Sequence, residues 1–173
     1  MSPDQTNGRL KLRPRLMEDA QALFPAMSDP EIMRYWAYAP FATLAALREN
    51  FDTLRQSNWH PLAITKQDND LALGFVTSCE IRKNVAEIGY LLTREAQGHG
   101  FAQEALGLLI TQLFGAGYRR LYADVDPDNQ PSIKLLKRLG FTQEGYLRAA
   151  WETHIGVRDS LIFGLLSSEW PRA

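Results

Sequence analysis

Three groups of residues have types and spacing suited to chemistry. The first is Gln97-Gly98-His99-Gly100-Phe101-Ala102, where two closely spaced glycines precede a helical pattern. Glycine lets the backbone take left-handed torsions and approach a ligand closely. A helix's first turn offers unpaired N–H groups and the positive end of its dipole, so a phosphate can dock there without a cluster of lysines. No Gly-Lys-Ser/Thr follows and the Gly-x-Gly-x-x-Gly spacing is absent, which excludes a Walker loop and the dinucleotide fingerprint. A tight strand-to-helix turn accounts for the same glycines equally well. The second group is Glu87 alone, which interrupts the apolar run Val85 to Leu92. Such a carboxylate either lies on a solvated face or sits in a cleft, where desolvation raises its pKa towards a range useful to a base. The third group is Asn129 and Ser132, a helix cap and a first-turn hydroxyl, which a helix end facing a ligand would present to it.

These residues need elements to hold them. Arg9 to Arg13 alternates as a half-buried strand does, and Pro14 ends it. Asp19–Met27 carries apolar residues at helical spacing, and Thr43 is placed to cap a second helix bearing Leu44, Leu47, Phe51 and Leu54. Leu62–Thr65, Leu71–Ile81 and Val85–Leu92 read as an antiparallel meander. A long helix spans Phe101–Phe114, a strand Arg120–Val125, and a short helix Ser132–Leu139, opened by Asp128-Asn129 with Pro131 in its first turn and stopped by Gly140. Strands near Phe141–Leu147 and Asp159–Leu166 close the chain. The order predicts an α/β (α+β) class: a mixed, mostly antiparallel central sheet flanked by helices. Within it, Val85–Leu92, the long helix and Arg120–Val125 form a βαβ unit whose strands are parallel neighbours.

Composition narrows the class. The 173 residues are expected to form one domain, 1–173, and 45% are apolar, as in ordinary globular proteins. Lysine plus arginine number 19 against 20 acidic residues, so neither nucleic acid nor another polyanion is the expected partner. The single cysteine, Cys79, expected in the core, excludes an internal disulfide and points to a reducing, cytoplasmic setting. Met1 to Leu12 is polar and carries no signal-peptide core, and no apolar run is long enough to span a membrane. His60, His99 and His154 have no metal-ligand spacing, so no metal is expected.

The loop at 97–102 resembles the Gln/Arg-x-x-Gly-x-Gly/Ala loop of the GNAT superfamily of acetyl-CoA-dependent N-acetyltransferases. Ala86-Glu87-Ile88, Glu104-Ala105-Leu106, and Asn129-x-x-Ser132 with Leu139-Gly140-Phe141 match the superfamily in order. Thr6-x-Gly8-Arg9-Leu10 through Met33-Arg34-Tyr35-Trp36, Glu144-Gly145, Arg158-Asp159-Ser160 and Glu169-Trp170 resemble its Rim-type branch, which includes acetyltransferases of ribosomal-protein N-termini (RimJ/RimL-like). The resemblance covers about residues 9 to 170.

It implies the GNAT fold, acetyl-CoA as co-substrate, and a primary amine as acceptor, on a protein N-terminus or a small molecule. The cofactor side would comprise Gln97, Gly98, His99, Gly100, Phe101 and Ala102 for the pyrophosphate, Asn129 for the pantetheine arm, and the backbone of Leu91, Leu92 and Thr93. A β-bulge near the end of the Val85–Leu92 strand would splay it from its neighbour, with Gly89 as the possible bulge site. Acetyl transfer requires a neutral amine, a stabilised oxyanion and a proton for the departing thiolate. The resemblance assigns Glu87 as base and Ser132 as thiolate partner, because Leu136 stands where many relatives carry a tyrosine acid. Lys134, Lys137 and Arg138 read as a solvated face or as a contact for the nucleotide's 3′-phosphate. Trp36 and Tyr38 would wall the acceptor pocket or pack as a lid, and Trp151 and His154, in the loop between the last two strands, would face them. A non-catalytic acyl-CoA-binding module with the same fold is the alternative, and the assembly is expected to be a monomer or homodimer.

Overall fold

The computed structural model describes residues 5–171, with side chains from Gly8; residues 1–4 of the expected leader-free N-terminus lie outside them. The elements are β1 (Gln5–Asn7), β2 (Leu10–Pro14), α1 (Asp19–Met27), α2 (Leu44–Arg55), β3 (Trp59–Lys66), β4 (Gly74–Arg82), β5 (Val85–Leu92), α3 (Phe101–Gly115), β6 (Arg120–Val125), α4 (Gln130–Arg138), β7 (Thr142–Thr153) and β8 (Gly156–Leu166). The strands form one eight-stranded sheet in the order β1-β2-β3-β4-β5-β6-β8-β7, antiparallel except for β5 with β6. The expected mixed sheet and its single parallel pair are present.

The sheet separates two apolar cores. Leu106, Leu109 and Ile110 of α3 and Ile133 and Leu136 of α4 pack with Ala86, Ile88 and Leu92 on one face. Leu23 and Met27 of α1 and Leu47 and Phe51 of α2 pack with Phe75 and Leu91 on the other. Alternation along β5 divides its side chains between these cores. Glu87, Gly89 and Leu91 therefore share the α1–α2 face, and Ala86, Ile88, Tyr90 and Leu92 the α3–α4 face. Among the described residues, no helix is long and apolar enough to cross a membrane.

Local chemistry sets the helix ends near the cleft. Thr43 caps α2 by accepting the Ala46 N–H at 3.1 Å. Asn129 caps α4 by accepting the Ser132 N–H at 3.2 Å, with Pro131 in the first turn. Glu104 in α3 accepts the N–H groups of Arg9 and Leu10, both at 3.0 Å, and ties the start of β2 to the helix.

Three expectations are corrected. β1 exists although Gln5–Asn7 is polar, because it is an edge strand paired only with β2. β7 and β8 run to a tight hairpin, so Trp151 stands on a strand and not in a loop. Cys79 is only half-buried, because it lies opposite Glu87 on the cleft face of the sheet.

Candidate active site

The site begins where β5 and β6 part. They pair from Val85↔Arg120 to Glu87↔Tyr122 and no further, while β5 stays paired with β4 through Leu92. The expected splay is present but the expected bulge is not: Gly89 keeps its regular partner Thr77. The edges of Ile88 to Leu92 and of Ala123 to Val125 are left to another partner. A cleft of about 1060 Å3 fills the gap and reaches both faces of the sheet.

At one end, Gly98 and Gly100 take left-handed torsions (φ +79° and +78°). Gly100 is the residue before α3, and a side chain at Gly98 would meet nothing within 4 Å, so the loop backbone is open to a ligand. Gln97 braces the loop by donating from its side-chain amide to the Leu92 carbonyl at 3.3 Å. Gln97, Gly98, Gly100, Phe101 and Ala102 line the cleft. Leu91, Leu92 and Asn129 line it too, and Asn129 uses its side-chain oxygen for the cap. Of the basic residues on α4, Arg138 borders the cleft.

Two expected cofactor residues are not brought there. Thr93 is buried outside the cleft lining, and its N–H donates to the Leu73 carbonyl at 2.8 Å, so that N–H is not free for a ligand. His99 is exposed and leans on Phe101, with ring centroids 5.5 Å apart, outside the cleft lining.

On the α3–α4 face, Ser132 and Tyr90 join hydroxyls across the split at 2.6 Å. Burial holds the Tyr90 phenol above its ordinary pKa, so it remains a proton donor. Sequence reasoning missed Tyr90, which reads as one more apolar residue of β5. Leu136, at the position where the resemblance implies a tyrosine in many relatives, is fully buried in the α3–α4 core.

On the opposite face Glu87 has no hydrogen-bond or ion-pair partner among the described side chains. Burial raises its carboxyl above the ordinary range, and the nearby charge of Asp124 pushes the same way. Asp124, also missed, gathers the Ser160 hydroxyl and the Trp151 indole N–H, the latter at 3.0 Å. Trp151 gets there because β7 shifts register between Leu147 and Trp151, where Ala149 takes φ +49°. Arg158 holds Asp126 at 2.7 Å and also Asp128, and Ala149 donates to Asp159 at 2.8 Å. The stretch 158–160 thus fastens the β7–β8 hairpin beside the cleft. His154, exposed at the hairpin tip, does not line it.

Trp36 and Tyr38 close this side, with ring centroids 5.7 Å apart and Trp36 5.6 Å from Phe75. They both pack on the second core and line the cleft, so the lid and wall readings describe the same residues. The lid is tied to the loops flanking the split: Tyr35 donates to the Asp128 carbonyl at 3.3 Å, and Arg94 pairs with Asp29 at 2.6 Å and Glu31 at 2.9 Å.

Residues 9–142 match the acetyltransferase (GNAT) domain family. The chain belongs to the GNAT acetyltransferases. It is 34% identical over 169 residues to the N-acetyltransferase p20 of Bacillus licheniformis, itself uncharacterized, covering 94% of this chain and 95% of that one. The structure of a GCN5-related N-acetyltransferase from Brucella melitensis superposes with a TM-score of 0.87 at 25% identity, covering 98% of this chain and 80% of that one. A spermidine N-acetyltransferase from Vibrio cholerae, solved with CoA and spermine, shares the fold: TM-score 0.82, 22% identity, 94% of this chain and 98% of that one. In this acetyltransferase, the split strands, the open glycine loop and the helix ends are backbone features that fit a long anionic thioester. No cluster of His, Cys, Asp and Glu that could hold a metal occurs among the described residues.

Proposed function

We propose that this acetyltransferase moves an acetyl group from acetyl-CoA to a primary amine, of a small molecule or a protein N-terminus, by direct attack in a ternary complex. The β5–β6 split carries the reading. It opens between Glu87 on one face and the Tyr90–Ser132 pair on the other, so a thioester lying in it has a base on its acceptor side and a hydroxyl donor on its thiol side. The amides beside Gly98 and Gly100 and the first turn of α3 hold the pyrophosphate, and Asn129 faces the pantetheine arm.

Glu87, with a raised pKa, takes the proton from the amine as nitrogen attacks the thioester carbon. The tetrahedral intermediate collapses, the carbon–sulfur bond breaks, and Ser132 gives its proton to the thiolate. Tyr90 positions Ser132 and relays a proton to it through the 2.6 Å hydrogen bond, taking one from solvent in turn, while Glu87 releases its proton to solvent. Trp36, Tyr38 and Trp151 wall the acceptor. The flanking motifs support a place in the Rim-type branch, and the half-buried free thiol of Cys79 fits a cytoplasmic setting.

Thiol release from acetyl-CoA, measured across peptides, polyamines, aminoglycosides and amino acids, tests the reading. Turnover with any amine supports it. Acetyl-CoA binding by calorimetry, with no amine stimulating release, would leave a binding module instead.

A further inference from the structure

The arginines at 13 and 15 are two residues apart and have opposite fates. Arg13 is buried in a bidentate pair with Asp19, both contacts 2.8 Å, and bonds Asp70 at 3.0 Å. The Asp19 carboxylate also takes the Leu16 N–H at 2.8 Å, which commits it locally. Arg15 has no ion pair and no side-chain hydrogen bond among the described residues. Its guanidinium carbon lies 3.5 Å over the Phe51 ring centroid and 5.5 Å from that of Phe75. Burial lowers its pKa to about 10, which leaves it charged at neutral pH. Of the other arginines that line the cleft, Arg94 and Arg158 each hold a carboxylate, and Arg138, which has no ion pair among the described residues, is exposed to water. A substantially buried cation left unpaired is costly unless something anionic completes it, and stacking on aromatic faces offsets only part of that cost.

Arg15 lines the same cleft as Glu87. Its N–H donates to the Pro61 carbonyl; Pro61 pairs with Thr77, and Thr77 with Gly89, two residues from Glu87. Three strand spacings, about 14 Å, separate Arg15 from Gly89, and Glu87 lies about 7 Å further along β5, which puts the two backbones about 16 Å apart. Both side chains lean into a gap walled by Trp36, Tyr38, Trp59 and Phe75. A planar guanidinium with its fork free matches a carboxylate or phosphoryl group.

Resting on the acetyl-transfer reading, we infer that the acceptor is a small amine that also carries an oxyanion, with Arg15 binding the oxyanion while Glu87 receives the proton of the amine. A polyamine, cationic along its length, would place positive charge against Arg15, so the spermine bound by the Vibrio neighbour is not the acceptor type of this chain.

The test pairs oxyanionic amines with counterparts lacking the charge: L-phenylalanine with phenethylamine, 6-aminohexanoate with hexylamine, and phosphoethanolamine with ethanolamine, plus spermidine. Wild type, Arg15→Gln and Arg15→Lys are compared by thiol release and by tryptophan fluorescence on titration. At least one oxyanionic amine should exceed its counterpart by about tenfold in kcat/KM or affinity, about 1.4 kcal/mol. Arg15→Gln should abolish that preference through KM, and Arg15→Lys should recover part of it. The first two pairs report a carboxylate, the third a phosphoryl group. Equal or better use of the uncharged amines or spermidine by wild type, or an undiminished preference in both variants, overturns the inference, as does binding of every probe equally by wild type and Arg15→Gln. Calorimetry with acetyl-CoA separates the two readings: acetyl-CoA should bind all three proteins alike, and failure to bind wild type would instead remove the acetyl-transfer reading.

Discussion

Replacing Glu87 by glutamine should slow this acetyltransferase and stabilise it at the same time. The carboxylate is part-buried, unpaired, and near the charge of Asp124, so its folded pKa lies above the unfolded value. Below the ordinary carboxylate pKa both states hold the proton and no penalty exists. As pH rises the unfolded chain releases its proton first, and the penalty on the folded state is complete above the raised pKa. Glutamine keeps the shape without the charge. At about pH 8 the variant should therefore melt at a higher temperature than wild type, and the gain should vanish near pH 4. Catalysis should move the other way. Loss of a positioned base costs about 100- to 10,000-fold, or roughly 3–5 kcal/mol of transition-state stabilisation. The wild-type acid limb, set by the raised pKa, should disappear with it. Thermal melts across pH, together with kcat/KM profiles for any turned-over amine, read both effects. An unchanged rate, or a Tm difference that stays constant across pH, would refute the assignment of Glu87 as an unpaired base.

Ser132→Ala should lower kcat by about 100-fold or more, and Tyr90→Phe by about tenfold, one hydrogen bond's worth, with acetyl-CoA affinity little changed. The double variant should be no worse than Ser132→Ala, because the two act as one unit. Gly100→Val should weaken acetyl-CoA binding by about tenfold in calorimetry, since a left-handed torsion of +78° costs a β-branched residue about 1–2 kcal/mol or more and the loop must shift to relieve it. Arg13→Met, which strands Asp19, should cost about 3–5 kcal/mol in urea unfolding, and a following Asp19→Leu should restore much of it.

The sequence by itself determined the elements whose burial is periodic. The α3 pattern, the run of β5 and the capped start of α4 follow from side-chain alternation and local hydrogen bonding, which act within a few residues. The glycine loop was legible for the same reason, since its backbone demand is local. Strands without a buried face left no such signal: β1 is polar, and β7 is exposed along nearly its whole length, so the hairpin's extent and the placing of Trp151 were hidden.

Tertiary structure alone decided which residues meet. Tyr90 finds Ser132, 42 positions away, only because β5 and β6 part after Glu87. Asp124 becomes Glu87's neighbour through a parallel pairing made by a crossover, and Asp19 takes Arg13 rather than Arg15 because of where α1 packs on the sheet. The physical reason is range. Propensity and periodicity specify each segment from its own neighbours, but charge pairing and desolvation depend on what folding brings alongside. Glu87 was visible as a carboxylate in an apolar strand; only the packed sheet made it a part-buried, unpaired one.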